Sequence, residues 1–102
     1  MPRLTLEVAH ALGLEEAMHR LKEKFAAAMA EHRDRVSDFQ EEWNDNTFSF
    51  AFKALGMAVS GSVAVEPALV RVRADLPLAA AFFKGTIEDR LRHEVGRLLA
   101  SP

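Results

Sequence analysis

Four histidines, His10, His19, His32 and His93, are the chain's candidate imidazole ligands and bases. None recurs at a spacing that would put two imidazoles on one helix face, so they predict no metal site. His32 closes an apolar stripe and reads as a boundary residue. Carboxylates are paired at Glu15-Glu16 and Glu41-Glu42. Adjacent side chains on a helix or strand diverge, so neither pair makes an acid/base couple by itself. Ser60-Gly61-Ser62 lacks the Gly-x-Ser-x-Gly pattern of a nucleophile elbow, and no phosphate-cradling glycine loop is present. With no cysteine in the chain, thiol chemistry, disulfides and cysteine-ligated metals are excluded. These residues predict a non-enzymatic protein without cofactors.

The chemistry left is that of binding. Phe48, Phe50 and Phe52 form a row that reads first as core and second as an aromatic platform. Phe82-Phe83 precedes Gly85, and adjacent helical side chains point about 100° apart, so one ring could face outward. Core packing of both rings is the plainer expectation. Lys53, Arg71 and Arg73 fall on the face of their strands opposite the apolar one, where they could form a docking surface or simply be solvated.

These residues must be positioned by a recognisable set of elements. Apolar residues recur at every second position in Phe48, Phe50, Phe52, then in Val59, Gly61, Val63, Val65, then in Val70, Val72, Ala74, Leu76. That period marks strands with one buried face, and the short spacers predict an antiparallel meander. Leu4, Leu6 and Val8 predict a further strand near the N-terminus, where Pro2 suits a first position. A strand is also predicted over about Val36 to Trp43. Its odd positions would place Ser37, Phe39, Glu41 and Trp43 on one face, a carboxylate among aromatics, unless a bulge intervenes. Asn44-Asp45-Asn46 predicts the turn between Trp43 and Phe48. Gly61 within a strand predicts close approach by another backbone or a helix, or a bulge.

Leu14, Ala17, Met18, Leu21, Phe25, Ala28, Met29 and His32 lie on one stripe at spacings of three and four, which predicts a helix from Leu14. Pro77 opens a second helical stretch. Gly85 and Thr86 predict a break and a fresh N-cap, followed by a helix to Leu99 whose buried stripe holds Ile87, Leu91, Val95 and Leu98. The expectation is one α+β domain over residues 1–102: an antiparallel sheet of about five strands, two helices packed on one face, order β-α-β-β-β-β-α.

At 102 residues such a chain can bury a core without covalent staples. Its net charge of −2 offers no concentrated basic face, which argues against nucleic-acid binding. No run approaches the roughly 18 apolar residues of a membrane span and no signal-peptide pattern is seen, so a cytoplasmic protein is expected. A long unpaired edge strand would favour a homodimer.

The order and spacing of several segments resemble the polyhydroxyalkanoic acid system family. They are the N-terminal strand before Leu14-Glu15-Glu16-Ala17, Trp43-Asn44-Asp45-Asn46-Thr47-Phe48-Ser49-Phe50, Gly61-Ser62-Val63-Ala64-Val65, and Phe82-Phe83-Lys84-Gly85-Thr86-Ile87-Glu88 before an Arg-rich helix. The chain departs from the family pattern around His32 to Phe39 and at Asn44 and Asn46. The resemblance implies an accessory of polyhydroxyalkanoate storage, acting in granule formation or its regulation at the granule surface or on a granule-associated protein. It implies no catalytic residues. The contact residues expected are Phe82, Phe83, Lys53, Arg71 and Arg73. The alternative is a protein that binds an acyl or hydroxyacyl group between helix and sheet near Met18, Met29 and the Phe row, which calls for a cavity of about 300 Å³.

Overall fold

The computed structural model describes residues 3–54 and 56–100; Pro2 lies outside them. The strands are β1 (Arg3–Ala9), β2 (Val36–Asn44), β3 (Thr47–Ala54), β4 (Met57–Val65) and β5 (Leu69–Asp75). Helix α1 spans Leu14–Glu31, a 3-10 segment spans Leu78–Phe83, and α2 follows it directly over Lys84–Leu99. All pairs are antiparallel, in the sheet order β1-β5-β4-β3-β2. The predicted element order is the observed one.

The period of two becomes a two-faced sheet through its register. Leu6, Val72, Val63 and Phe48 stand in one cross-strand row, and Leu4, Ala74, Gly61 and Phe50 in the next. Both helices pack on this face, and Leu4, Leu6, Val65, Val70 and Val72 of the sheet form the core with Leu99 of α2. The opposite face carries Thr5, Arg73, Ser62 and Ser49 in the corresponding row.

Gly61 sits where close approach requires it. A Cβ there would lie 2.3 Å from the Arg73 carbonyl oxygen and 2.8 Å from the Phe50 ring. The β2–β3 turn forms as expected, with Asp45 in the left-handed region (φ 56°) and Trp43 paired to Phe48. Asn46 ties the turn to β4: its side-chain N–H donates to the Val65 carbonyl, and Val65 N–H donates back to the Asn46 carbonyl at 2.9 Å.

In β2 a bulge does break the alternation, between Ser37 and Gln40, with Asp38 at φ 53°. Ser37 thereby pairs with Lys53 on the outer face, whereas Glu41 and Trp43 pair with Phe50 and Phe48 on the inner one. Glu41 thus keeps its place between aromatics, but α1 reaches β2 only through Phe25 on Phe39 and Lys22 on Trp43, and the Glu41 side chain is exposed. Bulge, charges and a left-handed residue are features that oppose edge-to-edge pairing. At the other edge, Arg92 of α2 donates to the Glu7 carbonyl of β1 at 3.2 Å.

Two details of the second helical stretch differ from expectation. The break falls at Phe83 (φ −106°, ψ 9°), so Gly85 lies inside the first turn of α2, and Thr86 does not cap it. The last turn of α2 is instead closed from outside. Arg20 of α1 donates through Nη1 to the Leu98 and Ala100 carbonyls at 3.0 and 2.8 Å, and through Nε to Glu16 at 3.0 Å. The Glu16 contact is an ordinary i,i+4 pair on one helix face; the carbonyls are visible only once the helices are placed. Charged hydrogen bonds to terminal carbonyls are worth about 1.5–3 kcal/mol when shielded. Arg20→Ala is expected to lower stability by about 1.5 kcal/mol in urea unfolding, because the side chain is partly solvated. Arg20→Lys should restore less than half, since an ammonium lacks the planar fork.

Candidate functional site

The binding residues expected from sequence occupy two separate regions. Arg71 and Arg73 project from β5 onto the outer sheet face. Lys53 shares that face from β3, two strands away and four residues along from the row of Arg73. Arg71 is held by Glu7 at 2.8 Å and Glu66 at 3.2 Å, and Lys53 by Asp38 at 3.5 Å. The Glu7 hydrogen bond, reinforced by the charge of Glu66, raises the Arg71 guanidinium above its already high pKa. A raised basic group keeps its folding contribution until pH passes the unfolded value, so Arg71 remains charged throughout any ordinary pH range. Arg73, flanked in register by Thr5 and Ser62, has no ion-pair partner among the described residues.

Phe82 and Phe83 lie elsewhere, on the 3-10 segment. Neither is packed in the core, contrary to the plainer expectation. Phe82 is 94% exposed, Phe83 61%, and Leu78 on the same segment 73%. The short segment sends the small Ala80 against the core and ends at the break before α2, leaving its three large apolar side chains in solvent. Three large exposed apolar residues within six positions exceed the single scattered ones of an ordinary surface and mark a candidate contact segment.

A second apolar feature lies on the inner face. The helices do not meet tightly over the sheet, and a cavity of about 240 Å³ remains between them. Its floor is Phe50, Val63, Val72 and Ala74; Phe25 and Ala28 of α1 and Leu91 and Val95 of α2 form its walls. Lys24 and Glu94 stand at its mouth. Neither Met18 nor Met29 lines it: Met18 packs on the core. The Phe row continues outward from this cavity. Phe50 and Phe48 centroids are 5.8 Å apart, Phe25 lies 4.6 Å from Phe48 and 5.5 Å from Phe39, and Trp43 stacks on Phe48 at 4.9 Å beneath the Lys22 ammonium.

Two of the histidines make local side-chain contacts. Leu12 N–H donates to His10 Nδ1 at 3.2 Å, so the Nε2–H tautomer can donate to the Glu66 carbonyl at 2.9 Å, joining two turns. His19 lies 3.1 Å from Glu23. Among the described residues no three metal-ligating side chains gather, and no helix is long and apolar enough to cross a membrane.

Fold and surfaces together define a two-layer α+β protein whose distinctive surfaces are apolar, one displayed on a 3-10 segment and one recessed between helices. The chain belongs to the polyhydroxyalkanoic acid system protein family, whose model matches residues 4–99. No curated protein and no solved structure matches it.

Proposed function

We propose that this protein is a non-enzymatic accessory of polyhydroxyalkanoate storage that attaches to the granule surface through Leu78, Phe82 and Phe83. The carrying observation is the exposure of these three side chains on one short segment, and membership of the family supplies the context. Moving an exposed large apolar side chain into an apolar medium gains roughly 1.5–3 kcal/mol, so three supply about 4.5–9 kcal/mol before the costs of association. That suffices for reversible attachment to a surface offering many sites. The paired charges of the outer face contribute far less, since exposed ion pairs are worth under about 1 kcal/mol and are screened by salt.

The test is co-sedimentation with protein-stripped polyhydroxyalkanoate particles. Binding is expected to persist at high salt, where the Debye length falls to about 3 Å. A Phe82→Ser/Phe83→Ser variant, with its unfolding temperature unchanged, is expected to remain in the supernatant. Binding that vanishes at high salt, or that survives in the variant, refutes attachment through this segment.

A further inference from the structure

We infer that the cavity between α1 and α2 binds an aliphatic monocarboxylic acid, tail inward, with its carboxylate at the mouth on Lys24 and Arg97. The inference stands independently of granule attachment, which uses a different surface. Three observations carry it.

First, the cavity is built by matched stripes. Leu21, Phe25 and Ala28 of α1 and Leu91, Val95 and Leu98 of α2 face it at the same helical spacings. Ordinary packing would close such a pair of stripes over the sheet. Here it leaves a cleft of about 240 Å³ that is open to solvent on one side, with apolar side chains that ordinary close packing would have covered. At ~30 Å³ for each group the size of a water, a methylene among them, this holds a tail of about eight carbons. It falls somewhat short of the roughly 300 Å³ at which drug-sized pockets begin, so the head group must lie outside.

Second, the space outside is polar and continuous with the cavity. A surface pocket of about 200 Å³ is lined by Lys24, Glu94, Arg97 and Leu98, three of which also line the cavity. An amphiphile entering tail first would therefore leave its head against these side chains.

Third, the charges there favour an anion. Neither Lys24 nor Arg97 has an ion-pair partner among the described residues, while Glu94, the single carboxylate of the mouth, is 3.9 Å from Arg90. Two unpartnered cations beside an apolar cavity complement a carboxylate on an alkyl chain, where a neutral or cationic head would forgo that match.

The experiment is titration calorimetry of the whole protein with decanoate, beside decanol and butyrate, at low ionic strength. Decanoate is expected to bind saturably at one site, decanol more weakly, and butyrate too weakly to detect. Lys24→Gln and Arg97→Gln should each weaken decanoate binding roughly three- to tenfold, as partly exposed ion pairs do. Glu94→Gln should tighten it. Ala28→Leu fills the cavity with side chain and is expected to bind more than tenfold more weakly, with an unfolding temperature equal to or above that of the parent. The Phe82→Ser/Phe83→Ser variant should bind decanoate unchanged, which separates this site from the granule-contact segment. Absence of decanoate binding, equal affinity for decanol, or undiminished binding by Ala28→Leu overturns the proposal.

Discussion

Gly61→Ala is expected to lower the stability of the domain by about 3 kcal/mol, seen as a lower urea midpoint with an unchanged slope. The added methyl would stand 2.3 Å from the Arg73 carbonyl oxygen, 3.0 Å from the Ala74 Cα and 2.8 Å from the end of the Phe50 ring. The ring can swing. The two β5 backbone atoms cannot, because β5 is clamped between β1 and β4 by two ladders. The only relief is local parting of β4 from β5, next to Ala74 and Val72 of the core. Overpacking a well-ordered interior costs typically 1–3 kcal/mol, and obstruction by backbone belongs at the upper end. For a domain near 100 residues a 3 kcal/mol loss corresponds to a fall in unfolding temperature of about 12–24 °C. A loss below 1 kcal/mol would mean that the two strands separate freely here, and the tight row through Phe50, Gly61 and Ala74 would be wrong.

That glycine shows what a sequence conveys well. Its position inside a period-two run already requires close approach, and the register then names the partner. Wherever one local pattern determined a structure, it was legible: the alternation of β3 to β5, the α1 stripe as far as Met29 and the Asn44-Asp45-Asn46 turn form as written, while His32 falls just past the helix end and is exposed. The bulge of β2 was legible only as a conflict around Glu41. The fold resolves it by turning Ser37 to the other face while leaving Glu41 in the open. Exposure of Phe82 and Phe83 was not legible, because whether an apolar helical residue is buried depends on what lies opposite. Here the 3-10 geometry gives the core-facing place to Ala80. The cavity was the least legible feature. The stripe residues Leu21, Phe25, Leu91 and Val95 read as ordinary core, and a gap between two such stripes follows from helix spacing that neither stripe encodes alone. That Lys24 and Arg97 stand together at its mouth depends on the same spacing.

Phe48→Ala is expected to cost about 4 kcal/mol, the largest loss from any single aromatic truncation in the chain. The side chain is 3% exposed, the only aromatic so deeply buried among the described residues. It meets Phe25 edge-on at 4.6 Å, stacks on Trp43 at 4.9 Å and neighbours Phe50 at 5.8 Å. Such pairs add about 0.5–1.5 kcal/mol to the burial itself. The loss should also have a direction. Beyond its ladder to β3, β2 is held on its inner side mainly by Trp43 on Phe48 and by Phe39 on Phe25 of α1. Amide exchange in β2 is therefore expected to accelerate ahead of exchange in β4 and β5, and the emission of Trp43 to shift towards that of a solvated indole. Phe82→Ala supplies the contrast. The same truncation at a 94% exposed ring should change stability by no more than about 0.5 kcal/mol. If instead Phe82→Ala destabilises the domain by more than 1 kcal/mol, the ring packs in solution and cannot serve as a granule contact. A near-zero value there beside a large one at Phe48 would show that the outward ring contributes nothing to the fold, so that its apolar surface remains available to a partner.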